Sequence, residues 1–203
     1  HRERKYIPAI AADSNQTLSE GTRKELMGLS RFLFNNSAIC RGAITDISKY
    51  SIGSGLTAQS LADSKVQTEY EDYFNRWAEI CDAQDRLSLD QMQYLASLAI
   101  DRDGDIGIAL SKTATGMPKI NLVESHRICN DYRDESYCDG IRHDRYGKVT
   151  GYKIKNGEGY RTFAPRDFIL LHDIDRVCAA RGTSSLAPVI NTLATVDELL
   201  EYE

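Results

Sequence analysis

The hydrophobic period of this chain changes at Asp101. Before it, apolar residues recur at three- and four-residue intervals; after it, they alternate. A helix returns side chains to one face about every 3.6 residues and a strand every second residue, so the two halves demand different elements. The most regular helical stretch is Val66, Tyr70, Tyr73, Phe74, Trp77, Ile80 and Cys81. It predicts one buried stripe, with Trp77, Tyr73 and Phe74 anchoring a helical core. Thr22 to Glu25 reads as a capping box opening an earlier helix with Leu26, Leu29 and Leu33 on one face. Asn35-Asn36-Ser37 interrupts it, and Ser37 can cap another helix carrying Ile39, Ala43, Ile44 and Ile47, ahead of Gly53-Ser54-Gly55. Ser88 caps a further one with Leu89, Met92, Leu95, Ala96, Ala99 and Ile100 facing one way.

Downstream, Ile106, Ile108 and Leu110 alternate as in a strand, and Ile120, Leu122 and Val123 follow across Thr115-Gly116-Met117-Pro118. Further strands are expected around Ile141, then Val149, Tyr152 and Ile154, then Tyr160 and Phe163, with turns at Asp144 to Gly147 and at Asn156-Gly157. Phe168 to Leu171 reads as a buried strand, and Ser184 or Ser185 caps a last helix through Leu186, Val189, Ile190, Leu193, Ala194, Leu199 and Leu200. The expected class is segregated α+β: a helical N-terminal half, an antiparallel strand-rich segment and a C-terminal helix. The expected division is an arm over residues 1–20, a helical part over 21–102, a β-rich part over 103–182 and the start of a long helix over 183–203. Asp197, Glu198, Glu201 and Glu203 sit where a helix end prefers Lys or Arg, and no Gly or Asn stops it. That helix is expected to continue beyond Glu203, making the chain a fragment.

With 203 residues, 41% apolar and 27% charged, the chain can bury a core. No apolar run approaches the ~18 residues that read as a membrane-spanning helix. Twenty-five basic against thirty acidic residues give a net charge of −5, which disfavours a protein that coats DNA through phosphate contacts. The five cysteines are scattered and include no C-x-x-C pair, which fits a reducing compartment. Charge is unevenly spread: residues 65–90 hold three basic and seven acidic side chains, and 139–166 hold seven basic and three acidic. The plain reading is two solvated faces. The functional one is a pair of unlike faces that dock head-to-tail on neighbouring copies.

Candidate chemistry is sparse. Asp101-Arg102-Asp103-Gly104-Asp105 alternates carboxylates as a divalent-cation loop or a metal-dependent hydrolase would. The calcium-loop template fails, because Ile106 occupies its Gly position and Lys112 its Glu position, which leaves a polar helix-to-strand turn with Gly104 at positive φ. His126, Cys129, Cys138 and His143 put four zinc-type ligands within eighteen residues. Their spacing is loosely compatible with a tetrahedral site but matches no well-populated finger or ribbon, and they read equally as residues of a sheet edge. No phosphate loop and no Gly-x-Ser-x-Gly elbow occurs, so no catalytic residue and no cofactor is assigned.

A collinear series of motifs carries a resemblance. Arg31 to Ile44, with Asn35-Asn36 between two helices and Arg41 in the second, resembles the helix-Asn-Asn-helix segment of lambda-type phage portal proteins, and Gly53-Ser54-Gly55-Leu56 resembles the Gly-x-Gly that follows it there. Phe74-x-x-Trp77, Asp103-Gly104-Asp105, Leu122-Val123-Glu124-x-x-Arg127-Ile128, Asp139-Gly140-Ile141 and Asp144-x-x-Gly147-x-Val149-x-Gly151-Tyr152 continue in the same order. Ile169-Leu170-Leu171-His172 and Arg181-Gly182-x-Ser184-x-Leu186-Ala187-Pro188-Val189 complete it.

The resemblance implies a wing-like helical part in a ring of twelve subunits at one capsid vertex of a virion assembled in the host cytoplasm. It also implies double-stranded DNA passing through without tight binding, and docking of the terminase motor and of tail or head-completion proteins. The sequence departs from the family in a short polar segment between Gly55 and Lys65, and the tunnel loop, remaining stem and crown fall outside it. A prophage or gene-transfer-particle remnant acting as a binding module is the alternative. On the portal reading, acidic residues such as Glu69, Glu71 and Asp72 line or flank the passage or an interface, since each phosphate contact would add friction. The basic stretch then serves protein contacts. Architectural roles are expected for Trp77, for Gly104, Gly147 and Gly182 at turns needing unusual φ/ψ, and for Arg41 and Arg181 in ordered ion pairs.

Overall fold

A computed structural model describes residues 11–195 except 62, 132 and 194. The first ten residues of the expected arm, Ala194, and Leu199, Leu200 and the acids of the expected C-terminal helix lie outside the described residues. The described chain is α+β, with helices first and antiparallel strands after. A single turn, α1 (Ser14–Thr17), is followed by α2 (Glu20–Asn36), α3 (Ala38–Ile52), α4 (Ser64–Ile80) and α5 (Leu89–Asp103). Then come β1 (Asp105–Lys112), β2 (Pro118–Glu124), β3 (Ile141–His143), β4 (Val149–Asn156), β5 (Gly159–Phe163) and β6 (Phe168–His172). Helical backbone resumes over 190–193 after a 3-10 turn at Ala187–Val189.

Local chemistry sets most boundaries. The Ser88 hydroxyl accepts the Gln91 amide and the Gln91 side chain accepts the Ser88 amide, a reciprocal capping box that starts α5. Ser37 ends one helix and starts the next: its amide donates to the Leu33 carbonyl, and its hydroxyl accepts from the Cys40 amide. α2 starts earlier than Thr22 suggests, because Ser19 is its cap. Its buried face is Arg23, Met27, Ser30, Leu33 and Phe34, and Leu29 stays exposed.

The strands form two three-stranded antiparallel sheets, ordered β2-β1-β6 and β3-β4-β5. Alternation along β1 builds a three-layer stack. Ile106, with Leu122 and Leu171 beside it, packs on Ala96, Ala99 and Ile100 of α5. The opposite face presents Ala109, Val123 and Phe168 to Ile141, Tyr152 and Ile154 of the second sheet. Gly107 makes this possible, since a Cβ there would lie 2.2 Å from the Phe168 ring. Helices, first sheet and second sheet therefore lie in that order. β6 is an edge strand: Phe168 is buried but Ile169 is exposed, so the expectation of a strand buried throughout holds for its first residue alone.

The larger departure is α4. It carries no buried residue. Val66, Tyr70, Tyr73 and Ile80 are 42%, 65%, 57% and 47% exposed, and the half-buried positions are Gln67, Glu71, Phe74, Trp77 and Ala78. At about 100° per residue, the face turned to the protein is rotated roughly a quarter turn from the apolar stripe. Trp77 and Phe74 pack on each other at a 5.6 Å centroid separation, and the Trp77 indole donates to the Pro118 carbonyl at 2.8 Å. The aromatic group thus pins α4 to the β2 edge and does not anchor a helical core.

Candidate functional site

Two arginines and two aspartates sit together in the interior. Arg181 grips Asp105 with two parallel bonds, Nε to Oδ2 at 2.7 Å and Nη2 to Oδ1 at 2.9 Å. Its remaining donors reach the carbonyls of Ser125, Ile128 and Asp139 and the carboxylate of Asp139. Arg23 of α2 grips Asp139 from the other side at 2.7 and 2.6 Å and reaches the Ser125 hydroxyl at 3.1 Å. Asp105 is 0% and Arg23 2% exposed. Burial pushes the Asp105 carboxyl up, but Arg181, its largest opposing partner, and Arg23 hold it below the ordinary aspartate value. The charges balance, two against two, as buried ions require.

A second cluster lies at the end of α5. Arg31 and Arg102 each fork onto the buried Asp103 with bonds of 2.7 to 2.9 Å. Burial raises this carboxyl and the two arginines, Arg102 foremost, more than offset it, so its pKa also lies below the usual value. Asp101 turns elsewhere, its Oδ1 accepting from the Ser185 hydroxyl at 3.0 Å. The three carboxylates of the hydrolase alternative therefore face different partners, and two are held by arginines.

The zinc candidates do not converge. His126 lies 3.4 Å from Arg31 Nη1 and 3.3 Å from Glu124, and burial, then Arg31, lowers its pKa. Cys129 is buried, with its Sγ on the Arg127 carbonyl, and burial raises its pKa. Cys138 is exposed, and His143 faces a different cavity beside Tyr146 and Leu170. Among the described residues no three His, Cys, Asp or Glu side chains are grouped to hold a metal ion.

Of the architectural residues, Gly104 has φ +99° and Gly147 φ +83°. Gly182 is not in the left-handed region; a Cβ there would stand 1.9 Å from the Gly104 carbonyl oxygen, so its requirement is backbone contact, not φ. Gly53 closes α3 at φ +57°, and Gly55, at φ +80°, leaves room for Asp90. The Asn36 amide returns to the Phe32 carbonyl at 2.8 Å, and Asn35 is exposed in the last turn of α2. Arg41 makes a cation–π contact with Phe34 at 5.2 Å. Of the acidic set, Glu69 and Asp72 are exposed, whereas Glu71 is half-buried and accepts from Gln67 and the Ser60 amide. On the other side of the stack, burial removes Lys153 and Asp139 from the surface of 139–166. Arg142, Arg145, Lys148, Lys155, Arg161 and Arg166 stay exposed against Asp144 and Glu158.

A family model described as phage portal protein, lambda family, matches residues 2–203. The chain belongs to that family. Portal proteins are a structural, not an enzymatic, family. Among solved structures, a chain in the neck of an empty GTA particle computed with C6 symmetry is similar to this portal chain, with TM-score 0.58 and 14% identity over 85% of its length. This portal chain spans 43% of that one, and the likeness is one of fold. The comparison with curated proteins returned no match. Among the described residues no portal helix is long and apolar enough to cross a membrane.

Proposed function

We propose that this chain belongs to a subunit of a ring-shaped portal, twelve-fold by resemblance, at a capsid vertex of a virion assembled in the host cytoplasm. The ring conducts double-stranded DNA during packaging and ejection and docks the terminase motor, the capsid and tail or head-completion proteins. The match of the portal family over residues 2–203 carries this reading. The C6 symmetry of the particle neck that holds the structural relative is in keeping with a ring. The charge supports it too: at net −5 the segment offers little counterion-release affinity, so DNA can slide past it. Negative-stain imaging of the purified full-length protein tests the proposal. Rings with a central hole are expected. A protein that stays monomeric at all concentrations overturns the ring and favours a stand-alone binding module.

A further inference from the structure

α3 and α4 each present a stripe of large apolar side chains that the described chain does not cover. On α4, Tyr70 and Tyr73 are more than half exposed, and Val66 and Ile80 nearly so. On α3 the buried positions are Cys40, Ile44 and Ser48, while Ile39 and Ile47 on its outward side are about half exposed and Tyr50 is 87% exposed. Between those isoleucines the stripe is low: Ala43 is exposed, and a Cβ at Gly42 would meet nothing within 4 Å. A second helix can therefore come close there. A contiguous apolar face with a charged rim is the anatomy of a docking surface.

The charges beside the two stripes are complementary. At about 100° per residue, Glu69, Asp72 and Arg76 fall on one flank of the α4 stripe, and Asp46 and Lys49 on the same-handed flank of the α3 stripe; all five are exposed. The other flank of each helix turns to its own protein. Flanks of the same hand meet when two helices pack antiparallel. Aligning Tyr73 with Ile47 in that sense sets Tyr70 against Tyr50 and Ile80 beside Ile39. It also leaves Lys49 between Glu69 and Asp72, and Asp46 within one turn of Arg76. Asp90, which lines the same hollow as Lys49, accepts from Gln93 at 3.4 Å. The lengths agree as well: the fifteen residues of α3 span roughly 22 Å and the seventeen of α4 roughly 25 Å, at about 1.5 Å each. Faces of that length, with the protein beside them, bury on the order of 1,000 Å², the size that a specific interface has to clear.

Both stripes are open in the folded copy, so neither covers the other there. They are different surfaces, and pairing them between copies gives a heterologous, repeating contact and not a two-fold dimer. We propose that α4 of one copy packs antiparallel along α3 of the next, with Tyr70 and Tyr73 against Tyr50 and Ile47, and with Glu69 and Asp72 facing Lys49. This inference rests on the ring reading and names the surface through which neighbouring subunits touch.

The test is cysteine cross-linking in the full-length protein with Cys138 and Cys178 replaced by Ser, since both are exposed. I47C and Y73C in one chain should give a ladder of cross-linked multimers on oxidation, because facing positions of packed helices fall within disulfide reach. Either substitution alone should give none. A charge swap reads the same contact without new cysteines, by mass photometry across concentration with circular dichroism as a check on folding. E69K/D72K should raise the concentration of half-assembly about fivefold or more, and adding K49E should bring it back towards wild type. Ladders from Y73C alone overturn the contact in favour of a two-fold α4 pair. Wild-type rings whose double cysteine variant gives no ladder, or whose triple charge variant assembles no better than E69K/D72K, overturn the contact and leave the ring standing. A wild-type protein that forms no oligomer overturns both.

Discussion

Replacing Arg181 with Met should cost this fold much of its stability. The side chain is matched roughly in length, so the change removes charge and donors more than volume. Asp105, fully buried, loses both bonds of the fork and keeps the Gly182 amide at 3.2 Å as a donor. The carbonyls of Ser125 and Ile128 lose the guanidinium as well, while Asp139 retains Arg23. Breaking one side of a buried pair costs about 3–5 kcal/mol, because the other charge is left uncompensated. For a chain of this size that corresponds to a fall of roughly 6–20 °C in Tm, at about 2–4 °C per kcal/mol. Arg181→Lys keeps the charge but not the planar fork and should fall between. The decisive variant is R181M combined with D105N: removing the stranded charge should recover at least about 1 kcal/mol relative to additivity. Urea unfolding followed by circular dichroism measures wild type, both Arg181 variants, D105N and the double variant. If R181M lies within about 1 kcal/mol of wild type, or D105N shows no coupling to it, the reasoning from buried charge balance is wrong.

The remaining expectations concern backbone, pH and metal. Gly182→Ala should lower Tm far more than Gly147→Ala, because its Cβ meets backbone at 1.9 Å, whereas the Gly147 site is open and strained by its φ of +83° alone; equal effects contradict the close approach. Gly28→Ala, in the interior of α2 with nothing within 4 Å of the new methyl, should stabilise by about 0.5–1 kcal/mol in the same melts. Asp103 and Asp105 titrate below the ordinary aspartate value when folded, so their stabilisation is complete above an unfolded-state value of about 4 and is lost as pH falls through the folded values. Tm should therefore hold from pH 7 to about 5 and drop below about 4; a rise on acidification would show the sign to be wrong. Treatment with a chelator, or C138S with H126A, should leave Tm unchanged; a marked fall on chelation would restore the zinc reading.

What could be read ahead of the structure was local. The Ser37 and Ser88 caps, the Gly104 turn and the alternation along β1 are each decided by residues within a few positions, and the folded chain uses them as the pattern suggests. Arg23 shows the opposite case. It stands in what reads as a surface cap, yet its partner Asp139 lies 116 positions away and no local pattern pairs them. Arg31 is hidden in the same way, 72 positions from its target Asp103, the middle carboxylate of an apparent cation loop, which the adjacent Arg102 also grips. For α4 the stripe was legible but its cover was not. Amphipathicity reports that a face is apolar, not whether the same chain supplies what lies over it.

The backbone crossing of Gly104 and Gly182 has a mechanical side. Residues 101–105 and 181–185 run against each other and are joined along their length: Asp105 to Arg181 and to the Gly182 amide, Gly104 to Gly182 by direct contact, and Asp101 to Ser184 and Ser185. One partner is the joint between α5 and β1, and the other leads into the helical backbone that begins at residue 190. A pull or twist on that trailing segment is therefore passed through these contacts to the helix layer and the first sheet together, at the joint where α5 gives way to β1.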